Sequence, residues 1–501
     1  MENLKNLGEP LEFWQYFFQI TKIPRCSAHE DQIREYIKKE AEKLGFQTKV
    51  DQIKNIVVRI PSKIGYKSGS LGVVLQSHMD MVCEKNEDVI HDFSKDPLKL
   101  KIVEIEGERW LTAEGTTLGA DNGVGIAYQL AIMKKIHDGS LNFDSIDLEL
   151  LFTVDEERAL TGASQISKDL IKGKYLLNLD SEEDDRFTIG CAGGRTFTVK
   201  IKREKIKKNR IDANLTPIKI AVSGLVGGHS GGDIHKGRGN ALKIITQILW
   251  KLNKKYKVYI NSLKGGNLSN AIPRECHAII FINENQFTEI DSYIKKLKLN
   301  IQKLYNEIEL NFKISFEKLD AFSDDLALTK EIQDKLLNLL YLMPNGPISL
   351  HPTSKGLVHT SSNLASIKTH EDFIEFQISQ RSLAQYDKDV IHEKFTTLLK
   401  MSGLEFNKAI DTEYPSWSPD FDSKIASIAK SVYKELFNEE VIIQAIHAGL
   451  ECSYFGHHFP EMEMISFGPD VLGCHSPDER LRIRSVEKVW KFLVTLLKNL
   501  D

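Results

Sequence analysis

Apolar positions along the chain follow two rhythms. Helical spacing marks LEFWQYFFQITKI and EDQIREYIKKEAEKLGF, with Gly45 placed to stop the second. Short apolar runs in NIVVRIP, LGVVLQSH, SIDLELLFTV and KYLLNLD predict strands. LGVVLQSH is continuous and ends in polar residues, as a buried parallel strand does. GVGIAYQLAIMKKIH reads as a helix entered through Asp121, Asn122 and Gly123. This alternation of strand and helix predicts an α/β sheet.

The middle of the chain changes character. From about Arg195 to Tyr414 the order is strand, helix, strand, strand, helix, strand. It runs through IKIAVSG, NALKIITQILWKLN, YKVYINSLK, ECHAIIFIN, a helix over 290–305, and IELNFKISFE. A similar order recurs, with strands in NLASIKTH and DFIEFQISQ, a helix over 387–400 and a strand before Tyr414. That pattern predicts two ferredoxin-like units in one extended sheet. The end returns to α/β character in SKIASIAKSVYKELF, VIIQAIHAG, EMEMISFG and the amphipathic SVEKVWKFLVTLLKNL. The expected fold is an α/β catalytic domain with a mixed, mainly parallel sheet flanked by helices. Residues 1–195 and 414–501 form its two parts, and residues 196–413 form an inserted α+β lid domain. PSWSPD marks the turn-rich return.

At 501 residues the chain is too long for one simple core, which fits this division. A net charge of −4 gives no global pull toward nucleic acid or an acidic membrane. The basic stretch from Lys200 to Arg210 lacks interleaved aromatics and reads as a solvated loop or strand edge. No apolar run reaches membrane-spanning length, and the N-terminal residues lack a secretory pattern, so a cytoplasmic protein is expected. The six cysteines are sparse and show no CxxC pairing, so no disulfide framework and no structural zinc finger are expected.

Seven acid and imidazole side chains fall just past predicted strand ends or in turns. They are His78 and Asp80 in QSHMDMVCEKN, Asp121 in TLGADNGVG, Glu156 and Glu157 in LFTVDEERALTGA, Asp180 in YLLNLDSEED, and His475 in GCHSPDER. Ligands in open α/β sheets gather outside the carboxyl ends of the strands, so distant segments can share one pocket. Zinc takes imidazole nitrogen and carboxylate oxygen, and two ions roughly 3.5–4 Å apart clamp one oxygen nucleophile. Asp121 opens a helix and is the candidate bridge between two ions. Asp80 is either a ligand or the acceptor that fixes the His78 tautomer. Glu156 and Glu157 are adjacent, so their side chains diverge and suit different tasks. Taken singly, each residue has a bland role: a lone histidine is commonly hydrogen-bonded structure, and an acid before a helix is commonly a cap. The joint pattern favours metal-assisted hydrolysis.

QSHMDMVCEKN, LGADNGVG, TVDEE with LTGA, NLDSEE, IGCAGG, GGHSGGDIH, NAIPRE, IHAGLEC and HSPDER occur in this order. Together they resemble the aminoacyl-histidine dipeptidase family, the peptidase D branch of the di-zinc metallopeptidases that includes cytosolic non-specific dipeptidases. The resemblance covers nearly the whole chain. It implies a zinc-bridged hydroxide that attacks an unblocked dipeptide, with Xaa-His peptides as one substrate class. It further implies two zinc ions, for which cobalt or manganese can substitute. His78, Asp121 and Asp180 hold one ion; Asp121, Glu157 and His475 hold the other. Glu156 is the implied general base, and Asp80 orients His78. His229 in GGHSGG is implied to stabilise the oxyanion, with closure of the insert bringing it to the metals. Asn270, Arg381 and Gly449 are implied to contact the substrate. Their bland readings are a glycine-made turn around His229 and an ordinary surface arginine at Arg381. Ser230 is discounted as a nucleophile because no strand–turn–helix elbow precedes it. Two departures, Arg158-Ala159-Leu160 and the PDVLGC loop before His475, bear on pocket shape without removing a ligand. Subunit number stays open between a homodimer and a single chain whose duplicated insert does the same work. An N-acyl amino acid amidohydrolase and a non-catalytic binding protein are the competing functional classes; nucleic-acid binding is remote.

Overall fold

The computed structural model describes residues 4–63, 71–212 and 214–501. The chain divides into two units, one of residues 1–191, 419–445 and 450–501, the other of residues 192–418 and 446–449.

The first unit contains an eight-stranded sheet. Across it the strands lie in the order Gln47–Val50, Ile56–Ile60, Ile146–Thr153, Leu71–His78, Tyr175–Asn178, Glu463–Ser466, Arg186–Cys191 and Ile442–Ile446. Leu71–His78 runs parallel to Ile146–Thr153 and to Tyr175–Asn178, and Glu463–Ser466 runs parallel to Tyr175–Asn178. Every residue of Ile146–Thr153 and of Tyr175–Asn178 is buried; on the first strand the buried Asp147 accepts the Ser62 N–H, and Glu149 accepts the N–H groups of Lys172 and Gly173. Helices Leu11–Ile20, Asp31–Lys43, Ala120–His137, Lys424–Phe437 and Ile483–Leu500 contribute apolar faces to the same core. A smaller sheet joins Val471–Leu472, Arg480–Arg482, Glu108–Ala113 and Leu100–Ile105, and its first connection carries His475.

The second unit has its own core and one long sheet. The strand order is Lys313–Lys318, Leu215–Ser223, Cys276–Asn283, Val258–Gly265, Val358–Thr369, Phe373–Ser382, Gly193–Lys202 and Phe406–Tyr414. Two ferredoxin-like halves meet where Val258–Gly265 pairs with Val358–Thr369. They are nested rather than consecutive: the half with Val358–Thr369 takes Gly193–Lys202 as its first strand, so the other half lies within it in sequence. Lys200 and Lys202 therefore belong to an interior strand of the sheet. The basic run is compatible with this because burial alternates along that strand and the lysines take the open face.

One expectation is overturned. Cys26 and Cys83 form a disulfide with Cα atoms 5.7 Å apart. A separation of 57 residues hides the pair in the sequence, yet an isolated parallel bridge between Cys26 and Met81 lays the two loops side by side. The other four cysteines take part in no disulfide among the described residues.

Candidate active site

Five chain segments bring the acid and imidazole groups to one end of the parallel strands. His78 is the last residue of its strand, and its ring is buried. Its Nδ1 lies 3.1 Å from the Asp80 carbonyl oxygen and 3.4 Å from Asp80 Oδ1. Its Nε2 faces the other way, 2.9 Å from Asp121 Oδ1 and 3.3 Å from Asp180 Oδ1. The Asp80 backbone carbonyl is thus the nearer partner of Nδ1, with the carboxylate just beyond it.

Asp80 also shapes the glutamate pair. Its carboxylate accepts the backbone N–H groups of Glu156 at 3.0 Å and Glu157 at 3.2 Å, and the Ser27 hydroxyl at 2.8 Å. The short helix Glu156–Ala159 follows Asp155, whose φ of +52° turns the chain sharply after the strand. Unpaired N–H groups at a helix start are commonly satisfied by such a carboxylate, although here it comes from a distant segment.

Asp121 occupies the centre. It lies in the first turn of Ala120–His137 but has φ −79° and ψ 112°, so it stands outside the helical path. Its Oδ1 faces His78, while its Oδ2 lies 3.3 Å from His475 Nε2. The same His475 nitrogen is 3.0 Å from Glu157 Oε2. Thus His78, Asp121 and Asp180 form one convergent trio, and Asp121, Glu157 and His475 form a second. Glu156 joins His78 and Glu157 in a further one.

The charge balance fits divalent cations. Asp121, Asp180, Glu156 and Glu157 put four carboxyl groups around two imidazoles. Burial pushes Asp180 up to about 6 and holds Glu156 well above the ordinary carboxylate value. Burial, then the Asp121 charge, raises Glu157. Asp121 itself is held low because its bonds to His475 and His78 outweigh burial. Hydrogen bonds to Asp121 and Glu157 raise His475 to about 11. Glu157 Oε1 is buried without a hydrogen-bond partner among the described residues. Mixed imidazole and carboxylate donors suit zinc, cobalt or manganese. Cys474 is half-buried near Asp121 and Glu182, and burial holds its thiol in the neutral form.

The second unit gathers another polar cluster. The Gly232 N–H donates to His229 Nδ1 at 2.9 Å, so the neutral ring carries its proton on Nε2. Burial, helped by the Arg381 charge, lowers the His229 pKa to about 4 and keeps that ring neutral. Arg381 Nη2 lies 3.4 Å from His229 Nε2, a contact of two donors in that tautomer and therefore no hydrogen bond, while Arg381 Nη1 donates to the Tyr414 hydroxyl at 2.5 Å. Gly449 packs against the Tyr414 ring, where a Cβ would meet it at 3.0 Å. Asn270 is exposed; its carbonyl accepts the Ser230 N–H at 2.7 Å, beside the pairing of His229 with Ala271. Ser230 is buried.

Several site-associated groups escaped the sequence reading. Tyr414 had served only as a boundary marker, but it braces Arg381. His447 is buried and lies 2.7 Å from Ser361 Oγ through Nε2. Glu451 is fully buried in the first unit. Its Oε2 accepts Gln76 Nε2 at 2.6 Å and Thr153 Oγ1 at 2.7 Å. The available signal was an isolated acid in the otherwise small and apolar string AGLEC.

Fold and site together describe an α/β protein with clustered acids and imidazoles that could hold a metal ion, and residues 74–499 match the model of peptidase family M20/M25/M40, to which the chain belongs. Membership implies a metal cofactor. The chain is 36% identical over 500 residues to the cytosol non-specific dipeptidase of Escherichia coli, covering 100% of this chain and 99% of that one. The crystal structure of aminoacylhistidine dipeptidase from Vibrio alginolyticus matches with a TM-score of 0.87 and 33% identity, covering 98% of this chain and 97% of that chain. An aminopeptidase from Bacillus cereus matches at TM-score 0.56 and 14% identity over 98% of both chains, a likeness of fold alone. No helix among the described residues is long and apolar enough to cross a membrane.

Proposed function

We propose that this chain is a cytoplasmic dipeptidase that hydrolyses unblocked dipeptides with two divalent ions, zinc in the first instance. One observation carries the reading: the two oxygens of Asp121 face separate histidine–acid sets. His78, Asp121 and Asp180 would hold one ion, and Asp121, Glu157 and His475 the other. Bound there, the ions supply Lewis acidity, which lowers the pKa of water and polarises a carbonyl. The names of the two full-length relatives support a dipeptide substrate, and one of them supports Xaa-His peptides.

The remaining chemistry falls to side chains. Glu156 accepts a proton from the attacking water as the new C–O bond forms. When the C–N bond breaks, the same carboxyl returns that proton to the leaving amine. A general base works best with a pKa near the working pH, and burial moves Glu156 in that direction. His229 presents Nε2–H, the donor type required by an oxygen gaining negative charge. Arg381 offers a planar grip for the free carboxylate, and Tyr414 limits its orientations. Asn270 and the Gly449 backbone complete the substrate contacts in this reading.

The test is a panel of dipeptides, Xaa-His included, each beside its N-acetylated form, with chelator-stripped and zinc-restored protein. Cleavage of free dipeptides that returns with zinc is expected. Cleavage confined to acetylated substrates would replace the reading with an amidohydrolase, and zinc binding without any cleavage would leave only a binding protein.

A further inference from the structure

Two buried charges stand between the loops that carry the clustered ligands, and neither belongs to the cluster itself. Arg25 is 1% exposed. Its Nη1 donates to the carbonyls of Met79 at 3.2 Å and Asp80 at 2.9 Å, and its Nη2 donates to the carbonyl of Gly119. One guanidinium therefore ties the chain after His78 to the chain before Asp121. Glu479 is 2% exposed and holds the second loop from its N–H side. It accepts from Leu118 at 2.7 Å, Gly119 at 2.8 Å and Asp121 at 3.1 Å.

The sequence makes room for this clamp. A Cβ on Gly119 would stand 2.4 Å from Arg25 Nη2, and one on Gly123 would stand 2.9 Å from it. Burying a guanidinium and a carboxylate costs several kcal/mol each before their hydrogen bonds are counted. Here both groups spend those bonds on backbone at the ligand loops. Asp121 lies off the helical path, so the helix does not fix its carboxylate. The Glu479 bond to its amide supplies that restraint.

We infer that Arg25 and Glu479 are positioning residues that fix the spacing of the His78 and Asp121 loops and thereby set the affinity of the two cation sites sharing Asp121. The inference rests on the metal reading above. Ligand distances must hold within about 0.2 Å, so a small loop displacement is enough to weaken a site. Glu479→Gln keeps the side-chain size but offers one acceptor oxygen and an NH2 group to three inward N–H donors. Arg25→Lys keeps the charge but cannot span both loops with a planar fork.

The experiment strips full-length wild-type, Glu479→Gln and Arg25→Lys proteins of metal and titrates zinc against a competing chelator. Titrations are run below the thermal transition of each apo protein, and kcat and KM are then measured at saturating zinc. The expected result is a 10–100-fold loss of affinity for at least one zinc. Saturating zinc should return kcat to within a few-fold and leave KM unchanged, a pattern that general loosening of the fold would not give. If Glu479→Gln does not fold, the Arg25→Lys titration decides on the same terms. Wild-type zinc affinity in the folded variants overturns the inference alone. Failure of both variants to fold assigns the pair to stability and overturns it too. A wild-type protein that binds no zinc overturns this inference together with the reading on which it rests.

Discussion

Replacing Glu451 by Gln tests how strongly burial controls the protonation of this centre. Glu451 is fully buried, its Oε2 has two donors, and its Oε1 has no partner among the described residues. Burial raises its pKa from 4.5 to about 8. The folded chain thus holds a proton that the unfolded chain has released between those two values. The sign follows from linkage: stability is greatest below the unfolded value, falls as pH rises through the window, and levels off above the folded value. Each pH unit is worth about 1.4 kcal/mol, so the full cost is at most on the order of 5 kcal/mol. The amide in Glu451→Gln mimics the neutral acid and removes the cost. At about 2 °C per kcal/mol for a unit of this size, the three pH units from pH 5 to pH 8 should bring the variant a gain of up to roughly 8 °C over wild type. Thermal unfolding of metal-stripped protein across that range is the assay. A difference between variant and wild type that stays constant from pH 5 to pH 8 would refute the reasoning, because it would mean Glu451 does not take up that proton.

Three further outcomes are expected. Glu156→Gln should lower kcat by about 10²–10⁴ while zinc content, measured by atomic emission, stays at the wild-type level; an active variant removes Glu156 from the proton transfer. His229→Ala should cost about 10²–10³ in kcat with metal content unchanged, and a normal rate would show that its Nε2–H serves no developing charge. Arg381→Lys should raise KM for free dipeptides more than it lowers kcat, because a point charge replaces a two-pronged grip. Equal KM values for the variant and wild type would take the carboxylate away from Arg381.

What the sequence revealed depended on whether the signal was local. Strands such as Leu71–His78 and Tyr175–Asn178 were legible because burial on both faces demands continuous apolar residues. His78, Asp121, Asp180 and the glutamate pair stood out because polar groups abruptly follow those runs. Arg25, Glu479 and Glu451 gave no such signal. Each is a single charged residue whose meaning lies in contacts made far along the chain, such as Glu479 with the amides of 118–121. The nesting of the ferredoxin-like halves was hidden for a related reason. Gly193–Lys202 reads as the tail of the preceding domain, and its partners Phe373–Ser382 and Phe406–Tyr414 come much later. The Cys26–Cys83 pair likewise required two loops to be side by side before spacing meant anything.

The order of strands has a consequence for biosynthesis. In the first unit, Glu463–Ser466 lies between Tyr175–Asn178 and Arg186–Cys191, so an interior strand of that sheet is made long after both its neighbours. His475 and Glu479 emerge later still. A polypeptide halted before residue 463 has exposed strand edges and every clustered acid but lacks His475, which makes it prey for aggregation and proteolysis. The centre therefore stays short of one imidazole until residue 475 has been made, whatever has already folded around the acids.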